Sequence, residues 1–410
     1  MSFLDDIPFD GDTSTPIEEI KLKKKAHVQL SYRDRYSLSG RVTPAQQTFY
    51  HYLAQGNLQA RLEKEQQAYQ AELNRQLLEV EIEALKKRQS DKNSQLEKVN
   101  AVHRSIDLML EKQLDNTLNN YPLKYFADSR DMGHFKRIFS VLGDDRLSVS
   151  GLESAITPCK WLADKFVFFC NSSDCRSHFA NQESKDLKQA TNFLNVKGIT
   201  ALIPVFLVEQ KVALQKDFLK QPWSRFRRFA YWTALSALFI GRREKRNDLH
   251  IVFLLAYLSV FAELMLFSLL SSVAKDVQQD SIYAASKRQS DFRVKAIESY
   301  QPSGEITANL MQLIEPSLHK IIDALHFNYI PAAQIFDSQG DEHQALRNIM
   351  SKAKAFTQYK MLSIAKMDER EDILELLKLA NMDNATMQFL RAQDYNAVSI
   401  FHALEWIRKA

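Results

Sequence analysis

The chain has 410 residues, a length that suggests more than one folding unit. Its composition, 45% apolar and 25% charged, is typical of a globular protein. Glycine and proline number only 10 each, and the net charge is +4. These values exclude collagen-like and disulfide-scaffold chains, disfavour turn-rich β folds and nucleic-acid binding, and predict an all-α protein.

Residues 1–42 form two blocks of opposite charge. Residues 1–20 contain six acidic residues and no basic one, and a run of lysines begins at Lys21. Such blocks rarely pack, so we predict a disordered charged tail. The alternative is a docking segment, because four apolar side chains lie among the acids: Phe3, Leu4, Ile7 and Phe9.

Residues 43–121 are predicted to form a helical arm. Thr43-Pro44 is typical of a helix start, and 57–121 contains neither glycine nor proline. Apolar residues recur there at steps of three and four. Two interpretations stay open: a rod that pairs as a homodimeric coiled coil through 57–118, or a hairpin that turns at the polar cluster 89–95.

The stretch 122–410 is predicted to be a succession of helices. One begins near Leu187 and is expected to end at Gly198, a residue suited to a C-terminal cap. The stretch 251–270 is nearly all apolar and follows the basic run 241–247, so it is long enough to cross a membrane. Glu263 near its middle favours a buried core helix instead.

Within 122–410 several short motifs occur in a fixed order. Residues 190–202 show Ala-x-x-x-Leu-x-x-x-Gly-Ile, in which Leu194, Gly198 and Ile199 match, and this order resembles that of the HD-related output domain (HDOD) family. The resemblance implies an orthogonal multi-helix domain, so the predicted fold is all-α, with a long helical arm before a compact HDOD-like domain. The similar stretches are 147–173, 190–202, 226–240, 253–266 and 326–336.

The resemblance also implies where a metal would bind in catalytically active relatives of the HDOD family. HD phosphohydrolases hold divalent metals through a histidine, a His-Asp doublet and a later aspartate. Here the first position falls on Ala234 and the doublet on Ser259-Val260, with Asp276 and Asp280 downstream. The first three positions lack good ligand side chains, and the two carboxylates alone would hold a metal only weakly. We therefore expect no metal, no cofactor, no catalytic residue and no enzyme activity.

Two further groups of side chains carry predictions. Cys159, Cys170 and Cys175 form no CxxC pair, which favours reduced thiols and a cytoplasmic location. Basic residues flank the helix predicted over 226–240 and form a candidate anion-binding cluster. Its members are Arg225, Arg227, Arg228, Arg242, Arg243, Lys245 and Arg246.

The first functional hypothesis is a non-enzymatic bacterial signal-transduction or scaffold protein that binds a protein partner through the HDOD-like domain and the arm. One alternative is a regulatory module that binds an anionic ligand or nucleotide through 225–246. A second is a protein anchored to a membrane by 251–270. Nucleic acid is not favoured as a partner.

Overall fold

The computed structural model describes residues 43–57, 66–71, 79–120, 129–179, 182–214, 220–311, 313–336 and 343–410. These ranges contain eighteen named helices and no strand, so the predicted all-α class is confirmed for them. The charged tail predicted for 1–42 lies outside the described residues.

The first nine helices vary from 7 to 42 residues in length. They are α1 (Pro44–Gln55), α2 (Glu79–Asn120), α3 (Ser129–Phe139), α4 (Val149–Ile156), α5 (Lys160–Asn171), α6 (Ser173–Phe179), α7 (Leu187–Leu214), α8 (Lys220–Arg243) and α9 (Leu249–Leu258).

The remaining nine complete the body of the protein. They are α10 (Phe261–Lys287), α11 (Asp291–Glu298), α12 (Gly304–Met311), α13 (Ile314–Leu325), α14 (Ala332–Phe336), α15 (Gln344–Ile364), α16 (Arg370–Leu379), α17 (Asn384–Arg391) and α18 (Ile400–Lys409).

Helix α1 begins where the sequence predicts it. The Thr43 hydroxyl accepts a hydrogen bond from the Gln46 amide at 3.2 Å, and the Gln46 side chain accepts one from the Thr43 amide at 2.9 Å. This capping box satisfies two amides that the helix cannot pair internally. Pro44 follows at the first helical position, where its missing N–H costs nothing.

Helix α1 lies in the core of the later helices. Phe49 and Leu53 are fully buried, and the Phe49 ring lies 4.8 Å from that of Phe229 on α8. The helix packs on α8, α12, α15 and α16. Residues predicted as the start of the arm therefore share a core with residues beyond 122, and the domain boundary at 121 stays a prediction.

Helix α2 runs without interruption through 89–95, where the hairpin interpretation placed a turn. Residues 66–71 are also helical, and Tyr69 lines a shallow cleft with Lys86 and Glu97 of α2. A straight rod would hold Tyr69 and Lys86 about 25 Å apart. The two segments therefore lie side by side, and the predicted turn at 89–95 is wrong.

The central layer consists of α7, α8, α9 and α15. Helix α8 packs on α9 and α15, and α9 packs on α7. Every residue of α9 except two is buried, because helices cover it on all sides. The sequence predicts a buried core helix for this segment, and the surrounding helices provide that burial.

Helix α7 contains a break that the sequence analysis placed differently. Asn195 has a φ of 57° and a ψ of 176°, which is not helical, and its Oδ1 accepts a hydrogen bond from the Gly198 amide at 3.1 Å. Asn195 therefore ends the first part and caps the second. The prediction that Gly198 ends the helix is wrong, because Gly198 lies in the first turn of the second part.

The apolar stretch 251–270 forms parts of two helices, because α9 ends at Leu258 and α10 begins at Phe261. By length and composition alone, two segments in the described part of the chain could cross a membrane: Leu187–Gln210 and Leu249–Lys287. Their most apolar windows are 72% and 94% buried inside the protein. The two segments whose composition resembles that of membrane helices are therefore mostly covered by other helices of this protein.

Candidate interaction groove

A groove of about 820 Å³ lies between α2 and the pair α10–α11. Its floor is apolar, with Ile106, Val277 and Ile297 among its buried residues. Along α2 it extends from Lys98 to Asn116, a distance of about 27 Å at 1.5 Å per residue. These dimensions suit a peptide segment better than a small molecule.

Hydrogen bonds hold the two walls of the groove in register. The His103 Nε2 atom lies 2.8 Å from the Ala296 carbonyl oxygen at the end of α11. The Tyr300 hydroxyl donates to Asp107 Oδ1 at 2.6 Å, and Gln278 Nε2 donates to the Ile297 oxygen at 2.7 Å. Burial is the largest effect on Asp107 and raises its pKa, while the hydrogen bond from Tyr300 opposes it. The groove is thus a pre-formed feature.

The groove carries an excess of positive charge. Four basic side chains line it, against two acidic ones. The acidic residues are Asp276 and Asp280, which lie one helical turn apart on α10. The Lys287 ammonium also lies 4.4 Å from the centre of the Tyr283 ring, next to the groove. The four basic residues are Lys98, Lys112, Arg288 and Arg293.

Exposed apolar side chains lie at the rim or next to it. Of the nine large apolar side chains that are exposed in the described ranges, Met109 lines this groove and three others are direct chain neighbours of a lining residue. Met109 lines it, and Leu108 lies four residues before Lys112, on the same helical face. Tyr283 follows Asp280 by three residues, and Phe292 precedes Arg293. Their exposed fractions are 44%, 65%, 64% and 45% for Met109, Leu108, Tyr283 and Phe292.

The structure places the predicted basic cluster at two separate ends of α8. Arg228 and Arg242 are fourteen residues apart, which corresponds to about 21 Å along the helix. Arg227 and Arg228 are exposed at the first end, with Arg228 over the Trp232 ring at 5.5 Å. No single ligand of nucleotide size spans both ends.

Most other members of the basic cluster have intramolecular partners. At the second end, Arg242 lies 3.9 Å from the centre of the Trp406 ring, and Arg243 lies over Phe389 at 5.2 Å. Arg246 pairs with Asp248 through two contacts of 2.8 and 2.6 Å, and Lys245 has a φ of 55° in the turn after α8.

Arg225 is half-buried and closes the end of α1. Its Nε donates to the Leu53 oxygen at 2.9 Å and its Nη2 to the Ala54 oxygen at 2.8 Å. Burial lowers the Arg225 pKa, though the group stays charged at neutral pH. A cation at a helix C-terminus complements the partial negative charge there, so Arg225 fixes α1 on α8.

The three positions that the HDOD resemblance assigns to metal ligands in active relatives are all buried. Ala234 and Val260 have no accessible surface, and the Ser259 hydroxyl donates to the Ala256 oxygen at 2.7 Å. The Ser259 carbonyl oxygen accepts a hydrogen bond from Lys354 Nζ at 3.0 Å. Across the described ranges, no three His, Cys, Asp or Glu side chains come together as metal ligands would.

A buried ion pair lies beside Ser259. Glu263 has no accessible surface, and its Oε1 lies 2.6 Å from Lys354 Nζ. Neither carboxylate oxygen accepts a well-oriented hydrogen bond from the residues that the structure describes. Burial, followed by the charge of Glu263, raises the pKa of Tyr50 on α1. Tyr50 therefore belongs to the same polar cluster as Glu263 and Lys354.

The three cysteines are free and buried. Burial is the main cause that raises their pKa, to about 11 for Cys159, about 12 for Cys170 and about 11 for Cys175. Thiols of this kind are poor nucleophiles at neutral pH.

Comparison with known proteins finds no matching family model, no matching curated protein and no matching solved structure. The resemblance to the HDOD family therefore stays a prediction.

Asp276 and Asp280 stand out in the sequence, but the groove that they line does not. One signal in the sequence was informative: Leu108 and Met109 lie off the stripe of Ile106, Leu110 and Leu114, which are buried. An apolar residue outside the core stripe of a helix is a candidate for contact with a partner.

Proposed function

We propose that this chain is a non-enzymatic scaffold that binds an acidic protein segment with apolar anchors in the groove between α2 and α10–α11. The observation that carries the proposal is the concentration of exposed apolar side chains at the rim of a basic groove. Such a surface combines anchors that gain from burial with charges that select the partner.

The energetics favour a peptide-sized partner. Full burial of one large apolar side chain contributes about 1.5–3 kcal/mol. Exposed charge pairs contribute about 0–1 kcal/mol each and act mainly on the association rate. Burial of the rim residues Leu108, Met109, Tyr283 and Phe292 therefore supplies most of the affinity, and the basic residues supply selectivity for acidic segments.

Site-specific photo-crosslinking in cells tests this proposal. A benzophenone amino acid replaces Met109 in the groove or, as the control, Phe168 on α5, which is 70% exposed and lies on a helix packed against α4, α6 and α7. We expect a discrete crosslinked partner at 109 and none at 168. The crosslink should weaken in the charge-reversed variant Lys98→Glu/Lys112→Glu.

Equal crosslinking at both positions, or crosslinking that ignores the charge reversal, would contradict the proposal. The variants change exposed side chains only, so the fold is preserved. A truncation that removed 1–118 would be a poor substitute, because it would delete the buried residues Phe49, Leu110 and Leu114.

The wider parts of the proposal follow from the sequence. They are a role in bacterial signal transduction, a cytoplasmic location and an HDOD-like domain that has lost its metal ligands. Support for the last part comes from Ser259, whose two oxygens are both hydrogen-bonded within the protein, one of them to the Lys354 ammonium.

The two alternatives have narrower support. For an anionic ligand, the exposed pair Arg227 and Arg228 remains as the candidate site. Loss of binding in Arg227→Ala would test it. Membrane anchoring through 251–270 requires this segment to leave the core, and cell fractionation tests it. A homodimer through 57–118 would be detected by light scattering as a doubling of the 47.4 kDa mass.

A further inference from the structure

We propose that the groove between α2 and α10–α11 binds a segment of the same chain, residues 3–9, and that this segment competes with the external partner. The inference rests on the proposed function, since it assigns to the groove an occupant with the chemistry expected of that partner. Three properties of the segment support it: its charge, its length and its connection to the body of the protein.

The composition of residues 3–9 complements the groove. The segment reads FLDDIPF, so apolar anchors at Phe3, Leu4, Ile7 and Phe9 frame two adjacent carboxylates. Residues 1–20 carry six acidic side chains and no basic one, against four basic and two acidic side chains in the groove. In contrast, 21–25 carries four lysines, which the groove would repel.

The dimensions also agree. Seven residues in an extended conformation span about 23 Å. The groove extends for about 27 Å along α2 and about 18 Å along α10, from Asp276 to Arg288. Pro8 disfavours a helical conformation of its neighbours and suits an extended one.

The connection to the body of the protein permits this docking. Gln55 at the end of α1 donates a hydrogen bond to the Pro302 oxygen at 3.2 Å, close in the chain to Tyr300, which contacts Asp107 in α2. Since α1 is about 18 Å long, Thr43 lies within a few tens of ångströms of the groove. The 33 residues 10–42 can reach up to about 110 Å, which exceeds this distance.

Intramolecular binding needs little intrinsic affinity. A tether of 33 residues holds the segment near the groove at an effective concentration in the millimolar range. An external partner must then displace it, so the segment raises the partner concentration at which the groove fills.

The test is crosslinking within the full chain by a short bis-maleimide. Ser2→Cys is paired with Ser105→Cys or Ser281→Cys, which lie in opposite walls of the groove. The control pairs Ser2→Cys with Ser154→Cys, which is exposed on α4. The native cysteines are buried and react slowly at neutral pH.

We expect crosslinking to at least one groove position to be about tenfold faster than to the control position. The rate should fall in Lys98→Glu/Lys112→Glu and in Phe3→Ala/Phe9→Ala, and it should not depend on protein concentration. Equal rates for the groove and control pairs would overturn the inference. Products of two crosslinked chains would also overturn it and would identify a second copy as the occupant.

The inference and the proposed function fail in different ways. If residues 3–9 do not dock, the photo-crosslink from position 109 to an external partner is unchanged by Phe3→Ala/Phe9→Ala. If they dock, this double variant should increase that crosslink several-fold. If docking occurs without any external partner, the intramolecular docking stands, while the competition and the proposed function are wrong.

Discussion

At the scale of single residues, the pair Glu263–Lys354 is an ion pair with a fully buried carboxylate. Glu263 is inaccessible, Lys354 is partly accessible, and the two come from α10 and α15. A buried ion pair gains little over an apolar pair, but removal of one partner leaves an uncompensated charge. The pair therefore fixes how α10 and α15 meet, because other arrangements would leave Glu263 without a cation.

Replacement of Lys354 by methionine should lower the free energy of unfolding by about 3 kcal/mol. Urea denaturation measures this change, and Glu263→Gln/Lys354→Met should recover part of it. The matched control is Lys352→Met, whose partner Asp383 is half exposed, with an expected loss of about 1 kcal/mol or less. Equal losses in the two single variants would contradict the structural role of the buried pair.

His250 should make stability depend on pH. Burial, followed by the charge of Lys197, lowers its pKa to about 4, against about 6.5 in the unfolded chain. The unfolded state therefore binds the proton more readily, and stability falls as pH decreases from about 6.5 towards 4. Urea denaturation at pH 7 and pH 5 should show a smaller difference in His250→Gln than in the unmodified chain.

At the scale of secondary-structure elements, Arg225 joins α8 to the C-terminal end of α1. Arg225→Met removes two charge-assisted hydrogen bonds, and we expect it to lower the free energy of unfolding by about 2 kcal/mol. Arg227→Met, two residues away and exposed, should change it by less than about 0.5 kcal/mol. Similar values for both variants would contradict the role of Arg225 in holding α1.

Helix ends were predictable where a local signal decides them. Thr43-Pro44 carries its capping partner Gln46 three residues on, so the start of α1 follows from the sequence alone. The break in α7 was misplaced because both Asn195 and Gly198 favour helix ends, and only the structure shows which one caps. The interruption at Ser259-Val260 has no glycine or proline to mark it.

At the scale of the whole molecule, α1 should unfold together with the later helices. All four tryptophans lie beyond residue 122, so their fluorescence reports on the predicted second domain only. We expect Phe49→Ala to lower the midpoint of this transition, at a cost of about 3–5 kcal/mol. Leu96→Ala, exposed on α2, should leave the midpoint unchanged. An unchanged midpoint in Phe49→Ala would show that α1 folds independently.

The groove was beyond prediction from the sequence because it depends on the alignment of distant segments. Met109 and Asp280 are 171 residues apart, and the contacts of His103 and Asp107 that align α2 involve a backbone oxygen and a tyrosine far along the chain. Periodicity predicts that a helix has an apolar face, but it does not say which helix covers it. The basic side chains beside the apolar rim come from both walls, so they are recognised as one group only when the two walls are placed together.

The interruption between α9 and α10 bears on any passage of this region through a lipid bilayer. Helix α9 has 10 residues and is about 15 Å long, while a hydrocarbon layer is about 30 Å thick. To span it, α9 and α10 would have to merge into one continuous helix. Glu263 would then give up the Lys354 ammonium for a medium without counter-charges, so insertion would first have to neutralise this carboxylate.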